Sequence, residues 1–168
     1  MSPSVAVVIL NWNGSKHLET YLPSVVKYSE NATVYMADNA SIDGSILFTE
    51  KNFPTVKIIR NNSNGGFAKG YNEALKQLKE DYFVLLNSDV EVTPNWIKPV
   101  IDKLQHTENV CIAQPKIKAY LNKEEFEYAG AAGGFIDFLG YPFCQGRIFD
   151  TLEKDTAQYD ESREIFWA

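Results

Sequence analysis

The chain has 168 residues, a length that suits one domain able to bury roughly 70% of its unfolded surface. Hydrophobic residues make up 45% of it, charged residues 23%, and the formal net charge is −6. Because an acidic chain lacks the broad cationic field that nucleic-acid binding requires, we expect no nucleic-acid partner. No apolar run reaches the roughly 20 residues of a membrane-spanning helix, and the first residues do not resemble a secretory signal.

Strand and helix patterns alternate through the first two thirds of the chain. Apolar, β-branched runs predict strands at Val5–Trp12, Thr33–Ala37, Val56–Arg60 and Tyr82–Leu86, and the beginning of a fifth at Val110–Ala113. Apolar residues at helical spacing predict helices after Gly14, over Ser45–Lys51, from Gly65–Gly70 onward, and after Pro94 with Thr93 as N-cap. This order predicts an α/β fold with a doubly wound, mostly parallel sheet.

The composition changes after residue 118. Residues 127–146 are rich in glycine and aromatic residues without a clean period, and residues 150–163 are polar, as in a loop. We therefore interpret residues 1–168 as a single domain with a core at 1–118 and a glycine- and aromatic-rich segment at 119–168. The apolar residues 165–167 resemble the start of a strand, so we expect the domain to be incomplete at its carboxyl end and this end to favour artificial association.

We expect the isolated cysteines, histidines and aromatic residues to have structural roles rather than to bind a ligand or a metal. Cys111 lies in the predicted fifth strand and is expected to be a core residue, and neither it nor Cys144 has metal-type spacing. We expect no disulfide and a reducing compartment. His17 and His106 are expected on the surface. Four aromatic residues of the glycine-rich segment are expected to pack over the sheet edge, with an acceptor platform as the alternative: Phe135, Phe138, Tyr141 and Phe143.

Polar clusters follow four of the predicted strands. They are Asn11-Trp12-Asn13, Asp38-Asn39-Ala40-Ser41, Asn61–Gly66 and Asn87-Ser88-Asp89. The carboxyl ends of parallel strands lie along one edge of a sheet, where α/β proteins bind ligands. Asp38 is placed to accept a hydrogen bond from a base or a ribose, and Asp89 is a candidate ligand for a divalent cation carrying a diphosphate. An Asx turn is the alternative interpretation of each aspartate.

The glycine-rich stretch Asn64–Gly70 follows the third predicted strand. It is not a P-loop, because the GK[ST] sequence is missing, and a simple helix start explains it well. Backbone amides at a helix start nevertheless favour an anionic group. Lys69 is the one cation of this stretch and is able to approach a diphosphate.

Four motifs in this order resemble the amino-terminal half of a family 2 glycosyltransferase of the GT-A fold. They are VVILNWNG, VYMADNASIDGS, IRNNSNGGFAKGYNEAL and FVLLNSDVEVTPNWI. The third motif is similar to the NxGFaxGxN stretch of rhamnosyltransferase-like members. The resemblance covers roughly the first 115 residues, and EYAGAAGGFIDFLGYPF is similar to a less specific glycine-rich segment of some bacterial members.

The resemblance implies an activity and its partners. It implies inverting transfer of a sugar from a nucleoside-diphosphate sugar, UDP- or dTDP-linked, to a hydroxyl of a glycan or lipid-linked acceptor. It implies Mg²⁺ or Mn²⁺ as cofactor and a role in bacterial cell-surface polysaccharide synthesis. It also implies a cytoplasmic location at the inner face of the cell membrane, with membrane association through a further carboxyl-terminal part.

The resemblance also implies roles for individual residues. The residues implied to bind the nucleotide are Asn11, Asn13, Asp38, Asn39, Gly66, Lys69, Asn72, Asn87 and Ser88. Among these, Asp38 would hydrogen-bond the base. Asp89 matches the last acid of the DxD motif and would ligate the metal, whereas Asn87 replaces the first acid and removes a charge near it.

The catalytic base is expected beyond Ala168, since Asp137 and Asp150 match no catalytic motif, and the chain alone is therefore expected to be inactive. Two alternatives stay open. A nucleotidyltransferase would carry a glycine-rich basic loop after the first strand, where only Lys16 is nearby. A non-catalytic nucleotide-sugar-binding module is favoured by Asn87 and by the missing base.

Overall fold

The computed structural model describes residues 3–129 and 132–167, which form two compact units, one ending at Ile101 and the other beginning at Asp102. The helices are α1 (Ser15–Tyr28), α2 (Ser45–Asn52), α3 (Gly66–Leu75) and α4 (Lys98–His106). The strands are β1 (Val5–Asn11), β2 (Thr33–Asp38), β3 (Lys57–Arg60), β4 (Tyr82–Asn87), β5 (Gly134–Ile136), β6 (Pro142–Cys144), β7 (Arg147–Ile148) and β8 (Thr151–Leu152).

The first unit is built on a parallel sheet with the strand order β3-β2-β1-β4. The central strand β1 is apolar almost throughout because both of its faces are covered. Val7 and Ile9 pack with the buried side chains of α1, and Ala6 and Val8 pack on the other face with those of α3. The predicted α/β fold with a doubly wound parallel sheet is therefore confirmed.

The second unit consists of short antiparallel pairs, β5 with β6 and β7 with β8. Phe126 is fully buried there, and its ring centre lies 5.6 Å from that of Tyr159. The carboxylate of Asp155 accepts hydrogen bonds from Lys116 at 3.0 Å and forms an ion pair with Lys118 at 2.8 Å. The ammonium groups of Lys118 and Lys116 outweigh burial and lower the pKa of Asp155 to about 2.

The predicted fifth strand at Val110–Ala113 is wrong. The described residues 110–117 pair with no strand, and Cys111 is exposed rather than buried in the core. The backbone of Asn109 has a φ of 63°, a left-handed conformation that turns the chain immediately before this segment. An apolar run is not sufficient for a strand when no neighbouring strand is available to it.

The predicted start of the last helix is also wrong. Asn95 has a φ of 61°, so no helix continues from Pro94, and Thr93 is not an N-cap. Helix α4 begins instead at Lys98, with Pro99 in its first turn, where a missing backbone N–H costs nothing.

Residues 127–146, interpreted as aperiodic, contain the β5–β6 hairpin, whose connection includes Gly140 in a left-handed conformation at a φ of 89°. The β7–β8 hairpin follows directly after Gly146, which has a φ of 88°. Phe135 and Phe143 stack on each other, whereas Phe138 and Tyr141 are largely exposed. The predicted packing of these aromatic residues over the sheet edge stays a prediction. Trp167 forms an isolated bridge with Gly134. Residues 1, 2, 130, 131 and 168, which the predictions about the chain ends and the glycine-rich segment include, lie outside the described residues.

Both histidines are exposed, as predicted. Within residues 3–129 and 132–167, no helix has the length and apolar character needed to cross a membrane. How the whole sequence divides into a donor-binding core and a following segment stays a prediction.

Candidate functional site

The polar clusters that follow β1, β2, β3 and β4 lie along one edge of the sheet. Asn11 is the register partner of Asp38, Asp38 is that of Arg60, and Leu10 is that of Asn87. From β1 the chain adds β2 and β3 on one side and then returns to place β4 on the other side. The crevice between β1 and β4 is therefore the topological switch point of this sheet. We call this edge, with its four loops, the rim.

Asn11 and Asp38 form the buried centre of the rim. The Nδ2 of Asn11 donates to Asp38 Oδ1 at 2.9 Å, to Ser45 Oγ at 3.0 Å and to Ser41 Oγ at 3.1 Å. The other oxygen of Asp38, Oδ2, accepts from the backbone N–H of Ser41 at 2.9 Å. Asn11 and Asp38 are almost completely buried. Their side chains therefore hold the β1 and β2 loops in a fixed relation to each other.

Gly14 is required by the same centre. The Oδ1 of Asn11 is buried and has no hydrogen-bond partner among the described residues. A Cβ on residue 14 would lie only 2.5 Å from this oxygen and 3.7 Å from the hydroxyl oxygen of Ser88. The bare backbone of Gly14 thus leaves room for the side chain of Asn11, and the end of β4 lies within ordinary contact distance.

The loops after β1 and β2 are joined by further hydrogen bonds. Asn13, in a left-handed conformation with a φ of 51°, accepts from the N–H of Ile42 at 2.8 Å. Asp43 accepts from the N–H of Ser15 at 3.0 Å. Burial opposes ionisation of Asp43, but hydrogen bonds from Ser45 and Ser15 outweigh it and lower the pKa of this carboxyl. We did not predict Asp43; an aspartate followed by glycine at a helix start is its signal.

Asn39 is buried with Asp38 but faces the start of α3. Its Nδ2 donates to the backbone oxygen of Gly66 at 3.1 Å. Gly66 has a φ of 80°, a conformation that glycine adopts without strain. Asn39 and Gly66, both predicted as site residues, are therefore brought into direct contact.

The remaining predicted residues are available to a ligand. The side chains of Lys69, Asn72, Asn87 and Asp89 are exposed, and none makes a hydrogen bond or ion pair with another described residue. Ser88 is half-buried, and its hydroxyl oxygen lies near Gly14 of the β1 loop. The structure thus divides the predicted site into two parts. The buried, hydrogen-bonded residues Asn11, Asp38 and Asn39 form what we call the foundation, and the exposed side chains form a set of free polar groups.

Asp89 fits a metal that is shared with a ligand. No group of three or more histidine, cysteine, aspartate or glutamate side chains in the described part of the chain could enclose a metal ion. A single free carboxylate nevertheless suits Mg²⁺, which keeps several waters and is commonly held by one or two carboxylates and the phosphates of a substrate.

Two aromatic residues of the rim were missed as site candidates. Trp12 is 59% exposed between Asn11 and Asn13, and Phe67 is 63% exposed at the start of α3. The centre of the Phe67 ring lies 4.9 Å from that of the Tyr71 ring, so Tyr71 packs against Phe67 and helps to hold its position. A large aromatic residue inside a polar cluster is the signal that could have identified Trp12, since such a side chain is costly to expose without a partner.

The sequence model of Glycosyl transferase family 2 matches residues 6–158. An N-acetylglucosaminyl-diphospho-decaprenol L-rhamnosyltransferase of Mycobacterium tuberculosis is 27% identical in an alignment of 114 residues that covers 61% of this chain and 37% of that protein. Glycosyltransferase GlyG of Streptococcus pneumoniae is 24% identical in an alignment of 151 residues that covers 86% of this chain and 46% of that protein. The chain therefore spans less than half the length of these relatives.

Two solved structures resemble the fold. The mannosyltransferase PcManGT from Pyrobaculum calidifontis, in complex with GDP-Man and Mn²⁺, has a TM-score of 0.57 at 19% identity, over 68% of this chain and 37% of that one. TarS 1-349 of S. aureus, in complex with UDP-GlcNAc, has a TM-score of 0.55 at 20% identity, over 69% and 38%. The fold is of the GT-A type. With a family match over most of its length, this chain belongs to glycosyl transferase family 2.

Proposed function

We propose that the rim binds a nucleoside-diphosphate sugar, and that the protein transfers this sugar to an acceptor hydroxyl with inversion. The observation that carries the proposal is the division of the rim into a bonded foundation and free groups. Asn11, Asp38 and Asn39 are buried and hydrogen-bonded. Lys69 and Asp89 are exposed and carry charges of opposite sign, and neither forms a hydrogen bond or close ion pair through its side chain with another described residue.

The two free charges suit the two halves of a metal–diphosphate group. The ammonium of Lys69 attracts phosphate oxygens, and the carboxylate of Asp89 is a ligand for Mg²⁺ or Mn²⁺. When bound, such an ion supplies positive charge that stabilises a diphosphate leaving group. The carboxamide of Asn87 adds a neutral oxygen beside Asp89, in place of a second charge.

The buried residues of the foundation fix the positions of the loops that carry the free groups. Asp38 has both oxygens engaged within the rim, so we propose that it acts mainly by orienting the β2 loop; its predicted contact with the base would use its remaining lone pairs. Trp12, exposed beside it, offers a flat apolar surface for the base. Asp137 is a turn residue, because its Oδ1 accepts from the N–H groups of Leu139 and Tyr141.

Relatives support the class of donor and suggest the class of acceptor. PcManGT and TarS were solved with GDP-Man and UDP-GlcNAc, both nucleoside-diphosphate sugars. The name of the M. tuberculosis relative describes rhamnosyl transfer to a lipid-linked sugar. We propose a lipid-linked glycan acceptor at the inner face of the cell membrane, and family membership argues against a nucleotidyltransferase.

Calorimetric titration with UDP, dTDP and GDP, each with Mn²⁺ or with EDTA, tests the donor site. We expect one diphosphate to bind in a metal-dependent way. The substitution Asp89→Asn should weaken this binding by roughly tenfold or more, equivalent to about 1.4 kcal/mol. Asp150→Asn, which neutralises an exposed aspartate outside the proposed site, is the matched control.

Metal-independent binding that Asp89→Asn leaves unchanged would make Asp89 a turn residue and favour a binding module without catalysis. If none of the three nucleotides binds, the proposed site in this chain is contradicted.

A further inference from the structure

Asn39 and Asn61 join the ends of β2 and β3 to the start of α3. The Oδ1 of Asn39 accepts from Asn61 Nδ2 at 2.7 Å, and the same Nδ2 donates to the backbone oxygen of Gly70 at 3.1 Å. Asn39 Nδ2 donates to the backbone oxygen of Gly66 at 3.1 Å. Two carboxamides therefore bind the first turn of α3 at both of its ends.

Gly70 is the position at which this arrangement is tightest. A Cβ on residue 70 would lie 2.6 Å and 2.7 Å from the amide atoms of Asn39, and 2.8 Å from a methyl carbon of Leu10. Alanine normally favours a helix interior over glycine. The absence of a side chain here is therefore explained by the close approach of Asn39 rather than by the helix itself.

Lys69 is oriented by the same turn. A Cβ on residue 65 would lie 2.6 Å from Cδ and 2.9 Å from Cγ of Lys69, so the aliphatic part of the lysine lies directly over the bare backbone of Gly65. The position of the ammonium group thus depends on the path of residues 65–70. That path is fixed by Asn39 and Asn61.

Asn39 is only 2% exposed, so it acts through its neighbours. We infer that Asn39 is a positioning residue of the donor site: together with Asn61 and Gly70 it holds the first turn of α3 so that Lys69 meets the nucleotide. This inference rests on the proposed function and adds to it a residue that determines how the site is held.

The substitution Asn39→Asp tests the inference with little change in volume. It retains an acceptor for Asn61 but opposes the backbone oxygen of Gly66 with a second oxygen. Asn52→Asp is the matched control, because Asn52 also donates to a backbone oxygen, that of Phe48, but at the end of α2. Gly70→Ala has its own control in Gly44→Ala, where a Cβ would meet nothing within 4 Å.

Two measurements are needed on these variants. Amide hydrogen exchange should be roughly tenfold faster, relative to intrinsic rates, at residues 71–74, whose N–H groups bond to the carbonyls of the first turn of α3, in Asn39→Asp and Gly70→Ala, and unchanged there in both controls. Metal-dependent affinity for the nucleoside diphosphate should fall by roughly tenfold in Asn39→Asp, which matches the loss in Lys69→Met. The double variant should lose little more than either single one, because both act through the same ammonium group.

If the losses of affinity in Asn39→Asp and Lys69→Met add up in the double variant, the inference is overturned. Additivity would mean that Asn39→Asp weakens binding independently of Lys69, for example through a general loss of stability. Normal affinity in Asn39→Asp, or in Lys69→Met, would overturn it as well. If the unsubstituted chain binds no nucleotide, the proposed function fails, and the exchange rates at residues 71–74 alone decide whether Asn39 holds the turn.

Discussion

At the scale of single residues, Asn11 decides how the rim is organised. Its Nδ2 has two hydrogens and three acceptors within 3.1 Å, one of them a carboxylate oxygen of Asp38. An amide is suited to this place because it donates without carrying a charge. A buried carboxylate is stable only when donors surround it, and Asn11 is one of the two donors to Asp38.

We predict that Asn11→Asp makes stability strongly dependent on pH. Two carboxylates in contact cannot both ionise, so the folded pair keeps a proton that the unfolded chain releases above about pH 4. The folded state is therefore disfavoured as pH rises. Urea unfolding should show a loss of roughly 3 kcal/mol at pH 7 and a clearly smaller loss at pH 5.

Asn11→Ala is the control for this experiment. It removes the donor without adding a charge, so its cost of roughly 1–3 kcal/mol should change less between pH 5 and pH 7 than the cost of Asn11→Asp. Equal losses at pH 5 and pH 7 in the aspartate variant would mean that the substituted side chain turns away from Asp38.

Which residues gather at the rim could be predicted from the sequence, because the carboxyl ends of parallel strands share an edge. The separate roles could not. Asp38 and Asp89 both follow a strand within a polar cluster, yet Asp38 is buried and hydrogen-bonded while Asp89 is exposed. The difference depends on the partners that other loops supply, Asn11 and Ser41 for Asp38, and short-range sequence patterns do not contain such pairings.

At the scale of elements, helix α3 is held by hydrogen bonds at two places, its first turn and Tyr71. Asn39 and Asn61 hold its first turn, and Tyr71 anchors it further along. The hydroxyl of Tyr71 donates to the backbone oxygen of Leu86 in β4 at 3.0 Å. Burial raises the pKa of Tyr71 to about 12. This contact links α3 to the strand that leads into Asp89.

We predict that Tyr71→Phe lowers stability by roughly 1 kcal/mol at neutral pH, because one buried hydrogen bond is lost. It should also reduce the loss of stability at alkaline pH. A tyrosine with a raised pKa in the folded state contributes stability that is present below pH 10 and lost as pH rises toward 12. Burial and the neighbouring Glu80 raise the pKa of Tyr35 to about 12 as well, so part of the alkaline loss remains.

Urea unfolding of both proteins between pH 8 and pH 11 measures this difference. Tyr141→Phe, at an exposed tyrosine, is the control and should follow the unsubstituted chain. If Tyr71→Phe loses stability with pH as steeply as the unsubstituted chain, then ionisation of Tyr71 is not coupled to unfolding.

The elements of the first unit could be predicted because each has a strong local pattern, such as the apolar run of β1 and the apolar face of α1. The predictions are wrong at places where the backbone conformation of a single residue determines whether a helix or strand begins. The left-handed conformations of Asn95 and Asn109 delay α4 and turn the chain before the predicted fifth strand. Asparagine permits this conformation without requiring it, so the sequence alone does not choose.

At the scale of the whole molecule, the two units are stabilised by different means. The first buries two apolar layers against its sheet. The second has short strands, and its buried Phe126 lies close to a cluster of charges formed by Lys116, Lys118, Asp155 and Asp160. The sequence indicated only a polar, irregular segment there. Ion pairs between residues about 40 positions apart in the chain have no local signal.

We predict that Asp155→Asn loosens the second unit in a pH-dependent way. The pKa of Asp155 is about 2 in the folded protein and 3.8 in its ordinary state. A lowered pKa contributes stability that is present above pH 3.8 and lost as pH falls toward 2. Amide hydrogen exchange at residues 116–126 and 153–160 should therefore be faster in the variant at pH 7, relative to intrinsic rates.

The same comparison at pH 2 separates the ion pairs from mere packing. The carboxyl of the unsubstituted protein is then about half protonated, so the difference between the two exchange rates should be clearly smaller than at pH 7. Asp150→Asn, at an exposed aspartate without these lysine partners, should match the unsubstituted protein at both pH values. A difference as large at pH 2 as at pH 7 would show that the shape of Asp155, and not its charge, organises the second unit.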